Sequence, residues 1–269
     1  MPDQTGPQNP LPPPAVAPGR LRGFDLTGRR VIVYGAESSI GRSIVEGCRE
    51  AGATVGVASA GAGGEALFAL KKAAAGGPSE AVDLSNGTNV RVATRKLAKE
   101  LGGLDAAVVV PGVYLASPLG KTSEADFDAV VAGNLAATYN AFRSAAKELA
   151  KTDMGRLLVV LSGPALRGLP NLSAYGAAQA GVMGLVRSVS QELGADGVTA
   201  NAIVTGWLTD TPGRGPDEIN ENLLQRYIPM RRFGEPADVA LLAVYLLSPA
   251  SGYVNGQAIN VDGGVFKHL

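Results

Sequence analysis

The sequence contains little of what metal, disulfide or polyanion chemistry requires. Its 269 residues include one cysteine and one histidine, so an internal disulfide is excluded and no metal site is expected. Lysine plus arginine number 24, as do aspartate plus glutamate, which leaves no basic field for nucleic acid or an anionic membrane. No apolar run approaches the roughly 20 residues that span a bilayer. These absences favour a cytoplasmic protein with a small-molecule substrate.

Proline is concentrated at the N-terminus, in residues 1–20 (MPDQTGPQNPLPPPAVAPGR). Proline lacks the amide N–H that helices and central strands need, so this segment is predicted to be a disordered tail. Hydrophobic residues make up 46% of the chain, and residues 21–269 suit one domain with a single core.

Short β-branched runs alternate with longer helical stretches from Gly28 onward. This alternation predicts an α/β domain of Rossmann type, with a doubly wound seven-stranded parallel sheet covered by helices on both faces. The predicted strands are Arg30–Tyr34, Thr54–Ala58, Glu80–Asp83, Ala106–Val110, Arg156–Leu161, Thr199–Ile203 and Ala258–Val261. The predicted helices are Ser39–Gly52, Thr88–Gly102, Ser123–Lys151, Ser173–Gly197 and Glu235–Pro249.

The first predicted strand runs into YGAESSIGRSI, a turn that opens a helix. A glycine-containing turn in this position is the setting of a pyrophosphate site, because the helix N-terminus presents backbone N–H groups to an anion. The predicted phosphate contacts are Gly35, Ser38, Ser39, Ile40 and Gly41.

The segment LSGPALRGLPNLSAYGAAQAGVMGL contains Ser162 and Tyr175. At this spacing it resembles the short-chain dehydrogenase/reductase family, most of all its 3-oxoacyl reductase branch, and the likeness runs from Leu26 to Phe266. The resemblance implies that Tyr175 exchanges a proton with the substrate oxygen and that Ser162 orients this oxygen. It also implies a supporting role for Asn134 and a catalytic position at Gln179, where the family has lysine.

Gln179 is the departure with the largest chemical consequence. A free tyrosine has a pKa near 10, and lowering it to about 7 takes about 4 kcal/mol, at about 1.4 kcal/mol per unit. The family's lysine supplies positive charge for this purpose. A glutamine amide can hydrogen-bond a ribose hydroxyl but supplies no charge. Arg167 is the cation in the loop between Ser162 and Tyr175, and it is expected to be exposed.

The resemblance implies a nicotinamide cofactor, NADP or NAD. After the second predicted strand, VGVASAG offers neither a carboxylate for a ribose nor an arginine for a 2′-phosphate, and the missing carboxylate favours NADP. Tyr34 and Pro111 depart together from the family's turns, which indicates either a repacked, intact site or one without bound cofactor. The further implied cofactor contacts are Ser59, Asp83, Leu84, Gly112, Gly206 and Thr209.

Three functions remain as alternatives. The first is an NAD(P)-dependent oxidoreductase, impaired or atypical, that interconverts a ketone and a secondary alcohol on an acyl thioester, steroid or polyketide-like substrate. The second is a catalytically silent subunit in a hetero-oligomer with an intact paralogue, and the third is non-redox chemistry on the same scaffold. The resemblance also implies a homodimer or homotetramer for an independent enzyme. Trp207–Tyr227 is expected to form a substrate lid.

Overall fold

A seven-stranded parallel sheet forms the centre of the molecule. The computed structural model describes residues 24–59, 76–210 and 227–266. The predicted tail and most of the predicted lid lie outside these residues, so both stay predictions. The sheet has the order β3-β2-β1-β4-β5-β6-β7, and all neighbours pair in parallel. The strands are β1 (Arg30–Tyr34), β2 (Thr54–Ser59), β3 (Ser79–Ala81), β4 (Ala106–Val109), β5 (Arg156–Ser162), β6 (Thr199–Thr205) and β7 (Ala258–Val261).

Helices cover both faces of the sheet. They are α1 (Ser39–Glu50), α2 (Gly87–Leu101), α3 (Glu124–Val131), α4 (Ala137–Leu149), α5 (Gly163–Arg167), α6 (Ser173–Leu193) and α7 (Pro236–Leu247). One buried cluster joins the sheet to α2, α4 and α6, and a second joins it to α1 and α7. The chain order reverses between β1 and β4, so the predicted doubly wound sheet is confirmed.

Local side-chain chemistry sets several helix ends. The Ser38 hydroxyl accepts from the Gly41 N–H at the start of α1, and the Asn86 side chain accepts from two amides at the start of α2. Glu235 and Asp238 form a reciprocal capping box on α7. Each cap satisfies amides that have no partner within the helix.

The predicted helix Ser123–Lys151 is not continuous. A π-helical turn over Ala132–Ala136 separates α3 from α4. The Asn134 side chain explains it, because Nδ2 donates to the Val130 carbonyl at 2.8 Å and takes an acceptor that the α-helical ladder would use. The short helix α5, which has a proline in its first turn, is also absent from the sequence prediction.

The third strand is shorter than predicted. β3 ends at Ala81, because the Asp83 carboxylate turns the chain by accepting from the N–H and hydroxyl of Ser85. Within the described ranges, no helix has the length and apolar character needed to cross a membrane.

Candidate active site

A cavity of about 510 Å³ opens at the carboxyl ends of the central strands. Parallel strands bring the loops that follow β1, β4, β5 and β6 to one edge, and these loops form its walls. The lining is mostly apolar and includes Ser38, Ser39, Ile40, Val110, Pro111, Gly112, Tyr114, Ser162, Leu169, Leu172, Tyr175, Gly206, Trp207, Leu208 and Asp210.

The turn after β1 retains the tight geometry that its glycines predict. Gly35 has a φ of +81°, and a Cβ there would lie 2.1 Å from the Val110 carbonyl oxygen, so the turns after β1 and β4 are in close contact. A Cβ on Gly41 would lie 2.3 Å from the Gly35 oxygen. Both glycines are therefore needed for packing whether or not a phosphate binds beside them.

The two serines of this turn have different partners. The Ser38 hydroxyl is used by the cap, since it accepts from Gly41 N and donates to Gly35 O at 2.9 Å each. Ser39, the first residue of α1, donates its hydroxyl hydrogen to the Asp210 carboxylate. Asp210 is the only charged side chain among the described residues that line the cavity.

Ser162 and Tyr175 meet at the cavity wall. Ser162 ends β5 and Tyr175 lies in the first turn of α6. Burial raises the pKa of Tyr175 to about 12, and the hydrogen bond between the two side chains offsets only part of that effect. The Tyr114 ring packs edge-on against Tyr175, with centroids 5.4 Å apart. Tyr175 is therefore a protonated phenol at neutral pH.

Gln179 is buried within a hydrogen-bond network and is absent from the cavity lining. Its side chain is 1% exposed. Its Oε1 accepts from the Ser162 N–H at 2.9 Å, and its Nε2 donates to Asn134 Oδ1 at 3.2 Å. The Nδ2 of Asn134 donates in turn to the carbonyls of Val113 and Val130, at 2.8 Å each. Gln179 thus connects the end of β5 to the π-helical turn.

No cation takes the place of the family's lysine in the described part of the cavity wall. Arg167 is exposed, and its guanidinium lies over the Phe266 ring, 5.8 Å from the centroid. The described residues also contain no group of three or more histidine, cysteine, aspartate and glutamate side chains suited to a metal ion.

Four of the expected cofactor contacts are not among the residues that line this cavity. The Ser59 and Leu84 side chains are buried, and the Asp83 carboxylate is engaged by Ser85. The Thr209 hydroxyl donates to Glu235 at 2.8 Å. Gly112 and Gly206 do line the cavity, and a Cβ on Gly206 would lie 2.6 Å from Asp262 Cα.

The Tyr34 side chain packs in the buried cluster between the sheet and α2, α4 and α6. It is fully buried, and its hydroxyl pairs with Thr94 of α2 at 2.7 Å. Burial raises the pKa of this phenol well above its usual range. The turn after β4 remains joined to β1 through a backbone hydrogen bond from Val110 to Tyr34, at 2.9 Å. The departures at Tyr34 and Pro111 therefore coexist with intact contact between the two turns.

Sequence reasoning did not assign Tyr114 to the site, and it included Trp207 and Asp210 only within the expected lid segment, whereas all three line the cavity. A signal for Asp210 was present. In the short-chain dehydrogenase/reductase family that the sequence resembles, Gly206 belongs to a segment Asn-x-x-x-Pro-Gly-x-x-x-Thr, whose threonine position, counted from Gly206, is Asp210 and not Thr209. No comparable spacing marks Tyr114 or Trp207, which reach the wall through loop conformation.

Known proteins are similar to this chain over most of its length. A family model described as enoyl-(acyl carrier protein) reductase matches residues 35–266. A 3-oxoacyl-[acyl-carrier-protein] reductase from Staphylococcus epidermidis is 28% identical, over 88% of this chain and 99% of the relative. Nodulation protein G from Rhizobium sp. strain N33 is 31% identical, over 90% of this chain and 98% of the relative.

Solved structures match to a similar extent. A dehydrogenase/reductase from Sinorhizobium meliloti 1021 has a TM-score of 0.81 at 31% identity, covering 91% of this chain and 97% of the other. A structure from Beutenbergia cavernae that holds NADP at low occupancy has a TM-score of 0.82 at 29% identity, covering 91% and 100%. Levodione reductase gives 0.81 at 25% identity, with 90% and 99% covered.

Proposed function

Since the chain belongs to the short-chain dehydrogenase/reductase family of oxidoreductases, we propose that it reduces a ketone on an apolar substrate to a secondary alcohol with NADH or NADPH. The observation that carries this proposal is the pair of hydrogen-bonded hydroxyl groups of Ser162 and Tyr175 at the wall of a mostly apolar cavity. One O–H of the pair is free to donate to a carbonyl oxygen, and the second becomes free when the bond between the two side chains is exchanged for one to the substrate.

The cavity lining supports an extended apolar substrate. Leu169, Leu172 and Trp207 line it together with the hydroxyl pair. Burial of apolar substrate atoms against such walls contributes roughly 25 cal/mol per Å². The relative from Staphylococcus epidermidis is a 3-oxoacyl reductase, so acyl thioesters are the first substrates to test, before steroid and polyketide-like ketones.

The backbone at the start of α1 would hold the pyrophosphate of the cofactor. Ser39 and Ile40 are the first two residues of that helix and line the cavity, and amides of a first turn have no intrahelical acceptor. Gly112 and Gly206 would lie beside the cofactor. The absence of a carboxylate at the end of β2, at Ser59, favours NADPH over NADH.

The chain's own groups handle the proton. When bound, the nicotinamide supplies the hydride that the carbonyl carbon receives. Ser162 donates a hydrogen bond to the carbonyl oxygen, and Tyr175 transfers its phenolic proton to the same oxygen. The resulting tyrosinate regains a proton from water, which its pKa of about 12 favours strongly at neutral pH.

We expect turnover to be slow. The tyrosinate forms without a neighbouring cation, because Gln179 is neutral and bonded to Ser162 and Asn134. A loss of about 4 kcal/mol from the transition state corresponds to roughly a 10³-fold lower rate. Gln179 keeps a positioning role, since it holds the backbone of the residue that carries the Ser162 hydroxyl.

A second candidate is a catalytically silent subunit that pairs with an intact paralogue. Two observations favour it: the buried bonding of Gln179 and the contact of Asp210 with Ser39. Isolation of the native protein as a homo-oligomer with turnover of its own would remove this candidate.

We propose that an independent enzyme assembles with copies of itself through α4 and α6. Ala177, Ala180 and Gly184 lie along one exposed face of α6, and small side chains allow helices to approach closely. Tyr139 on α4 is 48% exposed. Ala180→Arg should reduce the mass measured by light scattering, whereas Val92→Arg, on the exposed face of α2, should not.

The test begins with titration of the full chain with NADPH and NADH, followed by the fluorescence of Trp207, the only tryptophan. NADPH consumption and alcohol formation are then measured with 3-oxoacyl thioesters and bicyclic ketones. We expect slow turnover in which one alcohol forms for each NADPH consumed. The Tyr175→Phe variant should show no turnover. Cofactor binding without turnover of any ketone would support the silent subunit. Absence of cofactor binding would overturn both the proposed cofactor site and the proposed ketone reduction.

A further inference from the structure

The end of the cavity that would receive phosphates carries an acid. Asp210 accepts a hydrogen bond from Ser39 at the start of α1, and the described lining contains no lysine, arginine or histidine. A helix N-terminus attracts negative charge. In this structure a carboxylate of the chain itself lies there, bonded to the Ser39 hydroxyl.

A second carboxylate lies in the same turn. Glu37 directly precedes Ser38, and its Oε2 is buried without a hydrogen-bond partner. The Arg42 guanidinium donates to the Glu37 backbone carbonyl and not to its carboxylate. The side chains around the turn therefore include two carboxylates, of Glu37 and Asp210, and one guanidinium.

We propose that Asp210 is the residue that limits the affinity of this cavity for phosphate-bearing ligands. A pyrophosphate at the start of α1 would have to displace the carboxylate from Ser39 and remain close to it. Like charges at such separations repel each other, and because Asp210 is exposed, salt screens part of this repulsion. The inference rests on the proposed dinucleotide site and adds the residue that sets its affinity.

The position of Asp210 in the sequence supports this assignment. It falls where the family segment has threonine, counted from Gly206. Threonine offers a neutral hydroxyl, whereas aspartate accepts hydrogen bonds and adds a negative charge. The neighbouring Thr209 does not compensate, because its hydroxyl is bonded to Glu235.

The test compares ligand binding by the full chain and two variants at this position. Asp210→Asn removes the charge at nearly constant size, and Asp210→Thr introduces the family residue. Asp153→Asn removes the same charge from an exposed residue before β5, at the opposite edge of the sheet. Thermal unfolding of each variant checks that the fold is retained.

NADPH, inorganic pyrophosphate and adenosine are titrated against each protein, and binding is followed by Trp207 fluorescence and by calorimetry. We expect Asp210→Asn and Asp210→Thr to lower the Kd for NADPH and for pyrophosphate by about tenfold or more. Their Kd for adenosine should stay the same. Asp153→Asn should leave the Kd for all three ligands unchanged. Added salt should narrow the difference between Asp210→Asn and the unmodified chain, because it screens exposed charges.

Equal Kd values for NADPH in the unmodified chain and both Asp210 variants would overturn the proposal. Failure of every variant to bind pyrophosphate or NADPH at millimolar concentration would overturn it as well. The outcome is separable from that of the proposed reaction. Tighter binding with no reduction of any ketone refutes the reductase alone, and turnover with unchanged affinities refutes only the role of Asp210.

Discussion

Restoring the family's lysine at position 179 should lower the free energy of unfolding of this protein. The Gln179 amide is 1% exposed and uses both of its ends, accepting from Ser162 N and donating to Asn134. Lysine has no acceptor. Gln179→Lys would leave the Ser162 N–H without its partner and place an ammonium where the described structure offers no carboxylate.

The magnitude follows from these two losses. A buried donor without a partner costs about 1–3 kcal/mol, and an uncompensated buried charge costs about 3–5 kcal/mol. The ammonium can lose its proton, which limits the sum, so we expect the free energy of unfolding to fall by about 3–5 kcal/mol. For a domain of this size that corresponds to a Tm lower by about 10 °C.

The assay is urea and thermal unfolding of the full chain, with Gln191→Lys as the matched control. Gln191 lies on the same helix, α6, and is exposed, so its replacement should change the free energy of unfolding by less than about 0.5 kcal/mol. Gln179→Met, which removes both hydrogen bonds without adding charge, should fall between the two. Equal stability of Gln179→Lys and Gln191→Lys would refute the assigned network.

Three other perturbations test separate parts of the account. Tyr175→Phe should lower kcat for ketone reduction by at least about 10²-fold, as expected for loss of a general acid, with the Kd for NADPH nearly unchanged; an equal kcat would exclude Tyr175 as the proton donor. The free energy of unfolding should decrease by about 2–3 kcal/mol between pH 10 and 12 through Tyr175, because an unfolded phenol ionises near 10 whereas burial raises the folded pKa to about 12; urea unfolding across this range should show a smaller decrease in Tyr175→Phe. Asp105→Asn should cost about 3 kcal/mol, since this carboxylate, 4% exposed, accepts from the guanidinium and backbone of Arg30 and from Thr152; unfolding equal to that of Asp153→Asn would contradict this.

The sheet could be predicted from the sequence because buried parallel strands appear as compact β-branched runs. β1 and β7 begin and end at the predicted residues. The π-helical turn at Asn134 could not be predicted, since the side chain that takes the Val130 carbonyl also donates to the Val113 carbonyl of a distant loop. Helical periodicity carries no information about such a contact.

The candidate site was predictable in part, for a related reason. The motif spacing predicted that Ser162 and Tyr175 lie at one cavity wall, because both positions follow from strand and helix geometry. The direction in which the Gln179 side chain points depends on which nearby polar groups need a hydrogen-bond partner. Here these groups are Ser162 N and Asn134 Oδ1. The position of Asp210 depends on a loop conformation, which local sequence does not specify.

The proton donor of the reaction is tested most directly by the pH dependence of kcat for ketone reduction under saturating NADPH. With Tyr175 as the donor, a pKa of about 12 and no cation at position 179, kcat should stay constant between about pH 6 and 10. A fall in kcat with a midpoint near pH 7 would mean that the donor is a group of much lower pKa, which would contradict the assigned roles of Tyr175 and Gln179.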